Sequence, residues 1–213
     1  MPFRKSLVLI HLSKLLVTTV IFFVFVTTAS AQSSTYGHHI HRLLSNNINK
    51  WIYNPVIINS IKAQNAKHIT LSQDDIDYLD QKWRTERKSN AQPLIDSVLA
   101  NPLSAFLKKI KAENQGLFSE IFIMDNRGLN VGQSDVTSDY WQGDEAKWKK
   151  TYAVGPDALV IGAREYDRSS QKFLIQVSVS VVDPASNTTI GAATIGVSLV
   201  QLIRAGAVAE RTQ

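Results

Sequence analysis

The sequence predicts an α+β fold, and three observations carry that prediction. Apolar residues recur with the helical period up to about Gly116, they recur with period two after it, and hairpin turn signals separate the later runs. In the first half, Ile40, Leu44, Ile48 and Trp51 mark one buried face, continued by Ile58 and Ile61. Asn54-Pro55 interrupts it. Proline lacks the amide donor of a helix interior but suits the first helical position behind an Asn cap. One long kinked helix, or two end to end, is expected over roughly residues 39 to 66.

Ser72 reads as the N-cap of the next helix, with Asp74 and Asp75 in its first turn and Arg84 and Arg87 late, matching the helix dipole. Ile76, Leu79 and Trp83 form its apolar stripe. A further helical region runs from about Pro93 to Ala112, nicked at Asn101-Pro102 and stopped by Gly116. Strands follow at about Glu120 to Asp125 and Leu129 to Gln133, joined by the tight turn Asp125 to Gly128. Three more are expected at about Ala158 to Arg164, Lys172 to Val182 and Thr188 to Leu199, the last two joined by the loop Asp183 to Asn187. A short helix from about Val200 closes the chain.

The N-terminus reads as a targeting segment. Arg4, Lys5 and Lys14 precede an apolar run from Leu15 to Val26, and Ala29-Ser30-Ala31 offers the small-x-small cleavage pattern of a secretory signal peptide. Residues 1–31 are therefore expected to be removed, or kept as an anchor, with the rest exported to the periplasm. Their loss takes three positive charges from the formal net charge of +5. A nearly balanced mature chain argues against nucleic acid, which needs clustered cations. The absence of cysteine excludes disulfides, thiolate metal sites and a cysteine nucleophile.

Asp135 to Val154 is the segment richest in aromatic and charged side chains. Tyr140, Trp141 and Trp148 can wall a pocket, Asp135, Asp139 and Asp144 can hold an amine, and Lys147 can meet a carboxylate. Alternatively, Trp141 and Trp148 cap the core from one helical face, and Gly143 to Lys150 has room for two helical turns. On the strand Lys172 to Val182, Phe173, Ile175, Val177, Val179 and Val181 share one face, and Gln176, Ser178 and Ser180 share the other. The polar face either lines a pocket with Thr194 or meets solvent. Arg164 to Arg168 is a charged run suited to a sheet edge or to a carboxylate. His38, His39 and His41 have no carboxylate or thiol beside them, so no metal and no cofactor is expected. Nucleophile-elbow, zinc-protease and phosphate-loop motifs are missing from the sequence, so no catalytic residue is expected.

The stretch from Glu120 to Trp148, EIFIMDNRGLNVGQSDVTSDYWQGDEAKW, resembles the core of the extracytoplasmic sensor domains called Cache, or PDC, domains, which have a PAS-like fold. Trp51 to Val56, Ala63 to Asn65, and Val181 to Pro184 with Ile190 to Gly196 resemble the same group. The likeness covers residues 39 to 203. It implies a single sensor domain over 39–205, between a disordered stretch at 32–38 and a tail at 206–213. It also implies a long N-terminal helix behind an antiparallel sheet of about five strands, with a ligand pocket on the other sheet face, under the loop after the hairpin. The implied ligand is an amino acid, amine or carboxylate, held by Asp135, Tyr140, Trp141, Asp144, Lys147, Trp148, Gln176 and Ser178. The implied partners are a membrane histidine kinase, diguanylate cyclase or chemoreceptor, and a second copy paired through the long helix. With no cytoplasmic effector after Gln213, a separate membrane partner is expected to read the signal. The alternatives are a ligand-free adaptor docking on an envelope receptor and, third, a hydrolase built on the loop carboxylates.

Overall fold

Asn54 and Pro55 divide the first helical layer as the sequence predicts. In the computed structural model, which describes residues 36–167 and 172–211, helix α1 (36–43) runs through a π-helical turn, Leu44–Ile48, into α2 (Asn49–Trp51). The Asn54 side chain then accepts the amide of Val56 and starts α3 (Pro55–Lys67). The π turn was not expected from the apolar period. Ile40, Ile48, Trp51, Ile57, Ile58 and Ile61 are buried along one side of this layer. The expected leader, residues 1–31, and residues 32–35 lie outside the described residues.

Ser72 caps α4 (Gln73–Glu86) in a reciprocal capping box with Asp75. Glu86, buried at the far end, accepts the amides of Leu94 and Ile95 and so caps α5 (Pro93–Leu99). Asn101 does the same for α6 (Pro102–Glu113) through Ser104. The backbone then reverses through positive φ at Gln115 and Gly116.

Five strands follow: β1 (Phe118–Met124), β2 (Asn130–Gln133), β3 (Leu159–Asp167), β4 (Lys172–Asp183) and β5 (Thr188–Ser198). They form one antiparallel sheet in the order β2-β1-β5-β4-β3, the expected PAS-like arrangement. Between β2 and β3 the helix α7 is a single turn (Ala146–Lys149), shorter than the two turns expected from Gly143. Gly143 is used differently: Gln142 donates to Gly128 O at 2.8 Å, and a Cβ at Gly143 would stand 2.3 Å from Trp141 Nε1. The chain hugs the β1–β2 turn there and cannot wind. The closing helix α8 (Leu199–Arg211) is longer than expected and takes in most of the proposed tail.

Register assigns the two sheet faces. Ile121, Ile195 and Val177 are cross-strand partners on the face that packs beneath the helices. Gly191 on β5 admits Ile61 of α3, whose side chain would stand 3.2 Å from a Cβ there. Phe173 departs from its predicted place: at the end of β4 it is 40% exposed and meets Tyr166 edge-on at 5.1 Å. A second apolar cluster sits off the sheet, where Trp83 stacks on Tyr140 at 5.3 Å among Ile76, Ile95, Val98 and Leu129.

Candidate functional site

The face turned away from the helices is polar at its centre. Cross-strand pairing aligns Gln133, Phe122, Thr194, Ser178 and Val160 in one row and Glu120, Gly196 and Gln176 in the next. Ser178 and Thr194 are buried and share a hydrogen bond of 2.9 Å. Buried hydroxyls of this kind need partners, which explains why they pair.

Residues 135–157 form a lid whose stretch from Lys147 to Gly155 covers this face, while Tyr140 and Trp141 pack on the cluster off the sheet. Asp80 of α4 holds its start, accepting the amides of Tyr140 at 2.9 Å and Trp141 at 3.0 Å while Arg84 donates to its second oxygen. The Trp148 indole donates to Asp125 O at 3.1 Å, stacks on Tyr152 at 4.9 Å, and covers Phe122, Met124 and Ala192. Ser180 of β4 donates to Gly155 O at 2.6 Å, fixing the far end. Asp125 is fully buried and accepts from Gln64, His68 and the amides of Arg127 and Leu129. This network gives a structural use to His68, which carried no signal in the sequence, and to Gln64 and Asn65 in the segment resembling the sensor family. Asn65 bridges both hairpins by donating to Ile190 O and accepting from Asn126 N.

Beside the lid lies a half-open cleft of about 420 Å³ walled by Ser119, Glu120, Asp135, Glu165, Tyr166 and Gln176. Gln176 donates to Glu120 at 3.2 Å. Burial pushes the Glu120 carboxyl above its ordinary range and Asp135 adds to the rise, against the pull of the Gln176 hydrogen bond and of Lys147 and Lys111. Lys111 grips Asp135 at 2.6 and 2.7 Å. Another groove of similar size, at the opposite end of the sheet, is lined by Tyr53, Pro156, Asp157, Val182, Pro184 and Asn187.

The eight residues predicted for the site separate into three groups. Asp135 and Gln176 line the cleft. Ser178, Lys147 and Trp148 belong to the same face or its lid; Lys147 lies over the Phe122 ring at 5.4 Å and bonds Glu145 and Gln142. Tyr140, Trp141 and Asp144 stand away from the cleft. Tyr140 is buried against Trp83, where burial raises its phenol. Trp141 packs on that same cluster and donates to Arg127 O, and Asp144 is exposed. The two tryptophans do not share a helical face, because residues 141–145 are not helical. Glu120, Glu165 and Tyr166 are cleft residues that the reading of the loop missed. For Glu120 the signal existed: it alternates with Phe122 and Met124, so it had to share their side of β1. His38 meets Arg42 at 3.0 Å, and among the described residues no group of metal-ligating side chains converges.

Fold and site together define a PAS-like α+β module with a half-open, ligand-sized cleft on one sheet face, beside the lid and not beneath it. Solved structures similar to this chain are Cache sensor domains of histidine kinases and chemoreceptors. The sensor domain of the V. cholerae histidine kinase DctB is 13% identical with a TM-score of 0.37, covering 82% of this chain and 56% of that one. The sensory domain of the Campylobacter jejuni chemoreceptor Tlp3 is 9% identical at 0.38, covering 79% and 66%. The E. coli DcuS sensor domain is 18% identical at 0.35, covering 60% and 94%. The chain thus spans under two thirds of the length of the DctB and Tlp3 domains. No family model and no curated protein matches the sequence.

Proposed function

We propose that this chain is an exported small-molecule sensor module that binds a small polar metabolite in the cleft beside the lid and is read by a separate membrane protein. The observation that carries the reading is the position of the cleft. It opens between a polar sheet floor, Glu120 and Gln176, and the first residue of the lid segment, Asp135. A ligand touching both would favour one lid position over another, which is the condition for a conformational response. Gly196 borders the cleft on β5, which runs without a break into α8 at Leu199. A shift at the cleft therefore has a short, hydrogen-bonded route to a terminal helix. The partner on this reading is a membrane histidine kinase, diguanylate cyclase or chemoreceptor, the chain acts in the periplasm after export, and it binds its ligand without turning it over. Lys147, Trp148 and Ser178 serve the lid and the floor.

A thermal-shift screen of amino acids, amines and organic acids tests this. A ligand at a hundred times its Kd stabilises by about 2.7 kcal/mol, which at about 2–4 °C per kcal/mol for a domain of this size raises Tm by about 5–10 °C. The shift should shrink in Gln176→Ala. A screen in which no compound raises Tm counts against the reading.

The adaptor reading draws on the groove at the other end of the sheet, where Tyr53 and nearby Val154 are exposed. It predicts capture by a membrane receptor that is lost in Tyr53→Ala and unaffected by Gln176→Ala.

A further inference from the structure

We infer that the cleft selects a cationic amine, anchored by Glu120, and discriminates against the carboxylate of the same skeleton. This rests on the sensor reading above and names the ligand class for the same cleft. The wall carries three carboxylates, those of Glu120, Asp135 and Glu165. Among the described residues, the two lysines that act on Glu120 are already engaged. Lys111 gives both of its short contacts to Asp135, and Lys147 is held by Glu145 at 3.0 Å and Gln142 at 3.2 Å. Among the described residues, the hydrogen bond that Glu120 receives comes from a neutral amide, that of Gln176, in a setting where burial disfavours its charge. An ammonium group arriving there removes that penalty, whereas a carboxylate adds a fourth negative charge.

The hydroxyls of the floor fit a donor-rich ligand head. Ser119 Oγ, in the cleft wall, is buried and has no hydrogen-bond partner among the described residues. Ser198, 1% exposed, is likewise unpartnered at Oγ, and its cross-strand neighbour Leu174 lines the cleft. An ammonium has three donors and no acceptor, so it can satisfy Glu120 and Ser119 together. Gly196 keeps the space open: a Cβ there would lie 2.3 Å from Ser119 Oγ and 2.9 Å from Glu120 Cγ. Leu174 and Tyr166 supply apolar and aromatic surface for the rest of the molecule.

The titration of Glu120 gives the binding a pH signature. The groups acting on it are Gln176 from β4, Lys147 from the lid, Asp135 after β2 and Lys111 from α6. An amine requires the ionised carboxylate, so affinity rises as pH climbs through the raised Glu120 range and levels off above it.

Titration calorimetry of the mature chain with n-butylamine, 2-phenylethylamine, butyrate and 3-phenylpropionate separates the outcomes. The amines should bind at least about tenfold more tightly than the matching acids, and Glu120→Gln should weaken the amines by about tenfold or more, the scale of one charge-assisted hydrogen bond. Acids binding as well as amines, with Gln176→Ala weakening both, would overturn the amine inference and leave the sensor reading standing. Amine affinity unchanged in Glu120→Gln, or independent of pH between 4 and 8 in the wild type, overturns the inference as well. Failure of all four probes overturns it, and the broader ligand screen then decides the sensor reading separately.

Discussion

Replacing Asp80 tests how the lid is held. One carboxylate oxygen accepts two backbone amides, those of Tyr140 and Trp141, at 2.9 and 3.0 Å. The other accepts Arg84 Nε at 2.7 Å. In Asp80→Ala both amides lose their acceptor, Tyr140 being only 4% exposed and Trp141 partly covered. An orphaned buried donor costs about 1–3 kcal/mol. The Arg84 side chain is 51% exposed, so its ion pair adds only about 0–1 kcal/mol. The expected loss is about 2–7 kcal/mol, or at least about 4 °C in Tm. Asp80→Asn keeps an acceptor for the amides and loses chiefly the surface pair, about 1 kcal/mol. Urea unfolding followed by tryptophan fluorescence measures both, since Trp83 stacks on Tyr140 in this region. The midpoints should fall in the order wild type, Asn, Ala with an unchanged m value. Equal effects of the two variants, or a loss under about 1 kcal/mol for Asp80→Ala, would refute the anchoring role.

Glu120→Gln should raise Tm at neutral pH. The folded-state carboxyl is pushed up by burial, so its contribution to stability is complete below its unfolded value near 4.5 and is lost as pH rises through the folded value. The gain from Gln should therefore vanish below about pH 4.5, as a pair of melting curves will show. Asp75 and Asp183 behave oppositely. Hydrogen bonds from Ser72 and Lys62 hold them below the usual range, so their stabilisation is present above about pH 3.8 and drains away as acid takes the pH through their folded values. Their Asn variants should flatten the acid limb of the stability profile. Trp83→Ala empties a fully buried site and should cost about 3–5 kcal/mol in denaturant unfolding. Ser72→Ala removes the capping box of α4 and should cost about 1 kcal/mol in the same assay.

The fold was legible wherever local chemistry decided it. Asn54, Ser72 and Asn101 announce helix starts because short polar side chains accept orphan amides, and all three do so here. The alternation of β4 placed Ile175 and Val177 against the helices and Ser178 on the opposite face correctly, because strand register leaves no other choice. The lid was harder. Its aromatic residues suggest a pocket wall by composition alone, yet Tyr140 is claimed by Trp83, more than fifty residues earlier in the chain. Glu165 sits opposite Leu174 on the cleft side only because an irregularity in the β3–β4 pairing, between Ile161 and Arg164, resets the register. No sequence period reports such a shift.

The most direct test of the account is a crystal structure of the mature chain grown with the compound that raises Tm most in the screen. New density should fill the cleft against Glu120, Asp135 and Gln176, with the segment from Asp135 to Pro156 displaced toward it. Density confined to the groove at Tyr53 and Pro184, with the cleft unchanged, would contradict the claim that this sheet face is the sensing surface.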